Sequence, residues 1–163
     1  MQIIDRALDP REYQQVSRAL DRCWLRSARL WEDNRRYWNP DLVHGFTGSV
    51  LVASASGAVA SVMRSAVNRY SPIPAGRTVT VQYTAWLRDS GILVHRDSRY
   101  YRAATLYMND SWTAEQGGLF LYSADQRVLP LANRLIINDN QLFHQVTRVC
   151  TDQPRFTVQV WVH

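Results

Sequence analysis

The sequence contains no lysine: all 19 of its basic side chains are arginine. It has only two cysteines, Cys23 and Cys150, which form no CxxC pair and are too few for a disulfide framework. They read as small buried hydrophobes. No apolar run approaches the roughly 18 residues that a membrane span requires, which argues against a membrane protein. The first residues lack the basic-then-apolar order of a secretory leader, so a soluble, cytoplasmic protein is expected. Charge of one sign is modestly in excess, at +5. The arginines are spread along the chain and not gathered in a stripe, which weighs against a nucleic-acid partner and leaves an anionic small molecule open.

What remains is an ordinary globular composition, 46% hydrophobic and 20% charged over 163 residues. That length suits one domain and is enough to bury a core. There is no internal repeat or low-complexity tract. The first third reads as helix. After Asp9 and Pro10, the positions Tyr13, Val16, Leu20, Trp24, Ala28 and Trp31 recur every three to four residues. Pro10 suits a helix start and Asp9 can cap it. Trp24, Trp31 and Trp38 read as packing aromatics, not a binding box. Residues 45–77 are rich in small side chains and ambiguous between helix and strand until Pro72, Pro74 and Gly76 break any regular element.

From Thr78 the pattern changes to short β-rich runs over 78–87, 91–95, 101–108, 117–123, 127–131, 134–138, 142–150 and 155–162. Eight such runs in 86 residues have the density of a barrel or sandwich, and many alternate. Thr157, Gln159 and Trp161 oppose Phe156, Val158 and Val160. The expected fold is therefore mainly β with N-terminal helices, a double-stranded β-helix of the jelly-roll or cupin kind. Residues 1–163 are expected to form one domain, with 1–77 mainly helical support and 78–163 the β-helix core.

His95 and Asp97 end the second run, two residues apart and so on one face of a strand. His144 stands on the seventh run, which a jelly roll can place beside the second. Two histidines and one carboxylate occupy one face of an octahedron and leave three positions open, an arrangement suited to non-haem Fe(II). Taken alone, an HxD triplet is a weak signal. The other histidines, His44 and His163, show how little one such residue means.

The surrounding motifs strengthen it. His95-x-Asp97 is followed by Leu106-Tyr107-Met108-Asn109, then Trp112, then Gly117-Gly118. Asn133 to Ile137 lead to Phe143-His144-Gln145-Val146, and Arg155-x-Thr157 follows with Trp161 beyond. In this order and spacing, over about half the chain, the sequence resembles the prolyl-4-hydroxylase-like branch of the 2-oxoglutarate/Fe(II) oxygenases. The resemblance implies Fe(II) on His95, Asp97 and His144, with 2-oxoglutarate as cosubstrate and O2 as oxidant. It implies that Arg155 binds the distal carboxylate of 2-oxoglutarate, with Arg148 as the rival and Thr157 as an added donor. Tyr107 and Tyr83 are further candidates for that cosubstrate, and each can equally be a core aromatic. Asn109, Gly117, Gly118 and Trp112 are expected to shape loops, and Arg102 and Arg127 to lie near the barrel mouth. A carboxylate at position 97 implies hydroxylation in preference to halogenation.

The expected reaction is hydroxylation of an unactivated C–H bond in an amino acid, a peptide residue or a small natural product. Two other readings stand beside it: a cupin-like metalloenzyme using another metal such as zinc, and a non-catalytic jelly-roll binding module. Residues 45–77 match nothing in the family pattern, and a lid there is an open question.

Overall fold

The computed structural model describes the whole chain apart from Ser27, Ala124 and Asp125, and the side chain of Ala28 is also left out. The elements run β1 (Gln2–Ile4), α1 (Pro10–Arg26), β2 (Glu32–Asp33), β3 (Val50–Ser54), α2 (Gly57–Tyr70), β4 (Val79–Trp86), β5 (Ile92–His95), β6 (Arg102–Tyr107), β7 (Phe120–Leu121), β8 (Arg127–Val128), β9 (Leu135–Asp139), β10 (His144–Val146) and β11 (Arg155–Val162). Short 3-10 turns occupy Ala28–Leu30, Asn34–Tyr37, Pro40–Val43 and Ala114–Gln116.

Helix α1 starts where its cap chemistry dictates. The Asp9 carboxylate accepts from the backbone N–H groups of Arg11 and Glu12, and Glu12 accepts in return from the Asp9 N–H, closing a reciprocal capping box. Glu12 also pairs with Arg69 of α2 at 2.9 Å, tying the two helices together. Val16 and Leu20 are buried, with Tyr13 and Trp24 packed beside them. The helix ends at Arg26, earlier than the aromatic spacing implied. Trp31 reaches the same core from beyond the helix, its ring edge-on to Trp24 at 5.1 Å.

The ambiguous stretch 45–77 resolves into one element of each kind. Val50–Ser54 form strand β3, the Ser56 hydroxyl caps α2 by accepting from the Val59 N–H, and Val59, Met63, Ala66 and Val67 give α2 its buried face. Residues 1–77 therefore hold three strands as well as two helices. None of residues 45–77 lines the central cavity, and Val50 joins the cluster between the sheets.

All strand pairs are antiparallel. The larger sheet has the order β1-β9-β6-β11-β4-β3-β2, and the smaller one β5-β10-β7-β8. Each of the eight expected β-rich runs contains a strand. The architecture is the mainly β, double-stranded β-helix fold that the run density implied. On one face of the larger sheet, Val81, Tyr83, Ala85, Val158 and Val160 pack against the helices. On the other, a second cluster including Trp86, Tyr107, Phe120, Ile136 and Val146 fills the space between the sheets.

Candidate active site

Strands β5 and β10 pair so that His144 lies directly opposite His95. Three residues on β10, His144 to Val146, span four on β5, His95 back to Ile92, so the pairing contains a β-bulge. A bulge re-aims the side chains around it. Here the His95 Nδ1 bonds the carbonyl of Leu93 at 2.8 Å, within the bulged segment. His144 repeats the pattern, with Nδ1 at 3.0 Å from the carbonyl of Leu142. A carbonyl only accepts, so each Nδ1 carries a proton, and in the neutral imidazole each Nε2 presents a lone pair.

Those Nε2 atoms converge on Asp97, just past the end of β5. They lie 3.8 Å (His95) and 3.4 Å (His144) from its two carboxylate oxygens. One ligand atom from each of the three residues falls within 4.8 Å of the others, a spacing a single ion can bridge. Only 11% of the Asp97 side chain and 6% of that of His144 remain exposed. Burial pushes the His144 imidazole below its ordinary value, Asp97 opposes the shift and His95 adds to it. The neutral, metal-ready form is thereby favoured. Phe120 stacks on the His144 ring at 5.0 Å and fixes its plane. A neutral imidazole pair with a carboxylate, each imidazole anchored through its second nitrogen, suits Fe(II).

The triad opens into a cavity of about 500 Å³ between the sheets. Arg155, the first residue of β11, lies at one end of it and is 2% exposed. Its guanidinium sits 5.0 Å from the ring centre of Tyr107 and 5.4 Å from that of Trp86, its register partner on β4. Among the described residues it meets no carboxylate, and its Nε has no hydrogen-bond partner. Burial also depresses the guanidinium's pKa. Two more buried polar atoms nearby are unpartnered, the Tyr107 hydroxyl and the Thr157 Oγ1. Buried polar groups are seldom left so. A fork of N–H donors beside the Tyr107 hydroxyl, both on the cavity wall, fits the distal carboxylate of 2-oxoglutarate.

Other candidates fall differently. Arg148 is 43% exposed, pairs with Asp89 at 3.3 Å and donates to the Gly45 carbonyl, and it does not line the cavity. Tyr83 is on the wrong face of β4. It is two residues from Ala85 and Val81 and shares their helix-side core, so the strand's alternation turns it away from the site, while Thr84 and Gln82 line it. Thr157 lies between Thr84 and Tyr107 on the inner face but is not part of the cavity wall. Arg102 donates to the carbonyls of Ser71 and Pro72, and neither it nor Arg127 lines the cavity.

The loop-shaping residues act on Arg155. Asn109 brackets it, donating to the Pro154 carbonyl at 2.9 Å and accepting from the Phe156 N–H at 2.8 Å. Gly118 has φ +62°, and a Cβ there would stand 2.6 Å from Arg155 Cδ. Trp112 donates its indole N–H to the Gly117 carbonyl at 2.8 Å, fixing the glycine pair. Trp38 packs on Trp86 at 5.7 Å, as a packing aromatic should, and also lines the cavity. Trp86 is the site residue that the sequence reading misses. Its signal is positional: Trp86 ends β4 and Arg155 begins β11, so antiparallel pairing sets them opposite.

Residues 80–163 match the family model of the 2OG-Fe(II) oxygenase superfamily. No curated protein matches the sequence significantly. Among solved structures, a Pseudomonas putida prolyl-4-hydroxylase superposes with a TM-score of 0.72 at 17% identity, over 99% of this chain and 91% of that one. A Trichoplax adhaerens prolyl hydroxylase, in complex with a hypoxia inducible factor oxygen degradation domain peptide fragment, gives 0.73 at 15%, over 99% and 82%. HygX from Streptomyces hygroscopicus, with nickel and 2-oxoglutarate bound, gives 0.69 at 11%, over 98% and 81%. These likenesses are of fold, and no helix among the described residues is long and apolar enough to cross a membrane. With the family model spanning just over half the chain and containing His95, Asp97 and His144, this chain belongs to the 2OG-Fe(II) oxygenase superfamily.

Proposed function

We propose that the chain is a hydroxylase that oxidises an unactivated C–H bond of an amino acid, a peptide residue or a small natural product, acting as a single catalytic domain over residues 1–163. One observation carries the reading. A buried guanidinium without an anion lies in the same cavity as a His-Asp-His triad. An isolated buried charge is costly, so its persistence argues for a carboxylate ligand. The two unpaired cysteines accord with a cytoplasmic setting.

Fe(II) held by His95, Asp97 and His144 supplies the coupled chemistry, in which 2-oxoglutarate and O2 become succinate and carbon dioxide and one oxygen atom enters the substrate as hydroxyl. The protein's share is positional. The carbonyls of Leu93 and Leu142 hold the imidazole tautomers and Asp97 completes the anionic ligand set. Arg155 neutralises the distal carboxylate, and Tyr107 donates its hydroxyl to it. Phe120, Ile92, Val146 and Trp86 wall the site with carbon and limit water. Asp97 fills a ligand position that a small residue would leave to halide, which favours hydroxylation.

The test is anaerobic addition of Fe(II) and 2-oxoglutarate to the metal-free protein, followed by its visible spectrum. A weak metal-to-ligand charge-transfer band is expected for the wild type, absent in Asp97→Ala and weakened in Arg155→Ala. A wild type that binds neither iron nor 2-oxoglutarate overturns the reading. Zinc-dependent activity indifferent to Arg155→Ala would put a cupin-like hydrolase in its place.

A further inference from the structure

The cavity is larger than one five-carbon diacid needs, and its two ends differ in chemistry. Resting on the reading that 2-oxoglutarate occupies the Arg155 end, the remainder is the substrate's. Gln159 lies four residues along β11 from Arg155, about 13 Å at the rise of an extended strand. There the inner face of the larger sheet carries a polar row. Gln82, Gln159 and Thr105 are register neighbours on β4, β11 and β6, and Asn138 of β9 stands one row along, opposite Ala103. All four line the cavity. The reverse face of the same strands is apolar throughout this stretch, with Val81, Val158, Val160, Ala104 and Ile137.

The row is only partly satisfied by the protein. Thr105 donates its hydroxyl to the Gln159 Oε1 at 2.8 Å, which leaves the Gln159 amide N–H groups directed elsewhere. Gln82 makes no side-chain hydrogen bond among the described residues. Asn138 is 3% exposed, and its Oδ1 is buried without a partner. A buried acceptor and free amide donors side by side match a group that donates and accepts at one atom, the hydroxyl. Above the row, Trp161 stacks on Tyr100 at 4.3 Å, and this wall offers an apolar face to a carbon skeleton. Charge narrows the class further. Arg96, Arg99 and Arg155 line the cavity, whereas its sole carboxylate among the described residues is Asp97, committed to the metal. No free anion is there to receive an ammonium group.

We propose that the substrate is a small, multiply hydroxylated molecule, neutral or anionic, recognised by Gln82, Gln159 and Asn138 and excluded when cationic, apolar or without hydroxyls. The row sets specificity, and the triad and Arg155 do not discriminate among substrates.

The experiment is calorimetric titration of the full chain, loaded anaerobically with Fe(II) and 2-oxoglutarate, with five probes: myo-inositol, glucuronate, glucosamine, cyclohexanemethanol and a capped prolyl amide. The expected result is that myo-inositol and glucuronate bind at least tenfold more tightly than the other three. Gln159→Leu and Gln82→Leu, each near-isosteric and checked for folding by circular dichroism, are expected to remove most of that preference while the charge-transfer band persists. Tighter binding of glucosamine, cyclohexanemethanol or the prolyl amide overturns the proposal, as does binding of none of the five or a preference unaltered in both variants. Repeating the titration without metal separates the two readings. A missing band with the polar preference intact overturns only the oxygenase assignment, and a present band with the preference absent overturns only the row.

Discussion

A guanidinium that is 2% exposed and meets no carboxylate among the described residues has to be held in place by what surrounds it. Arg155 is held by three residues far away in sequence: Asn109 through its backbone neighbours, and Trp112 and Gly118 through the loop behind it. Gly118 is the sharpest case, because its φ of +62° and its closeness to Arg155 Cδ both refuse a side chain. Gly118→Ala is therefore expected to displace the guanidinium. It should weaken 2-oxoglutarate binding at least tenfold and cost about 1–3 kcal/mol of stability through overpacking, read by titration and by denaturant unfolding. The triad was legible from residue type and spacing, and Arg155 entered as a candidate only through the family resemblance. The brace was not. Asn109 and Gly118 read only as loop formers, since the side chain they serve lies 46 and 37 positions on.

Alternation decides the fate of whole strands. On β11 it separated two rows, and on β4 it did not say which parity faced the site. Tyr83 and Tyr107 show the difference: both are buried tyrosines with unpartnered hydroxyls, but Tyr107 faces the cavity and Tyr83 the helices. Tyr107→Phe is expected to weaken 2-oxoglutarate binding roughly ten- to hundredfold, the worth of a hydrogen bond to a charged group. Tyr83→Phe is expected to leave that affinity and the folded state unaltered, and a titration on the pair checks both. In the N-terminal part, the helical spacing of aromatics overran the end of α1, because Trp31 joins the same core from an irregular segment. The strand-then-helix order of 50–70 was present in the Ser56 cap and in the spacing of Val59, Met63 and Val67, but small residues between them blurred it.

At the scale of the whole molecule, the two sheets enclose a site whose polar groups are under-satisfied until ligands arrive. Folding and binding are thus linked. Metal with 2-oxoglutarate at 100 times its dissociation constant should stabilise the fold by about 2.7 kcal/mol. For a chain of this length that corresponds to a rise in Tm of roughly 5–11 °C. Scanning calorimetry measures it, and Arg155→Met is expected to lose the response without lowering the stability of the unliganded protein, since it removes a buried charge. The fold class itself was legible because eight β-rich runs, many of them alternating, leave few other solutions. The pairing of β1 with β9 was not, three residues being too short to carry a pattern.

Strand β11 carries Arg155, the proposed anchor of the cosubstrate, at one end and the amide row further along, on one backbone paired on both sides. It works as a ruler. The carbon that is oxidised is then chosen by its distance from the graduation at Gln159, and a chemically weaker C–H bond elsewhere in the molecule is passed over because it never comes to the mark.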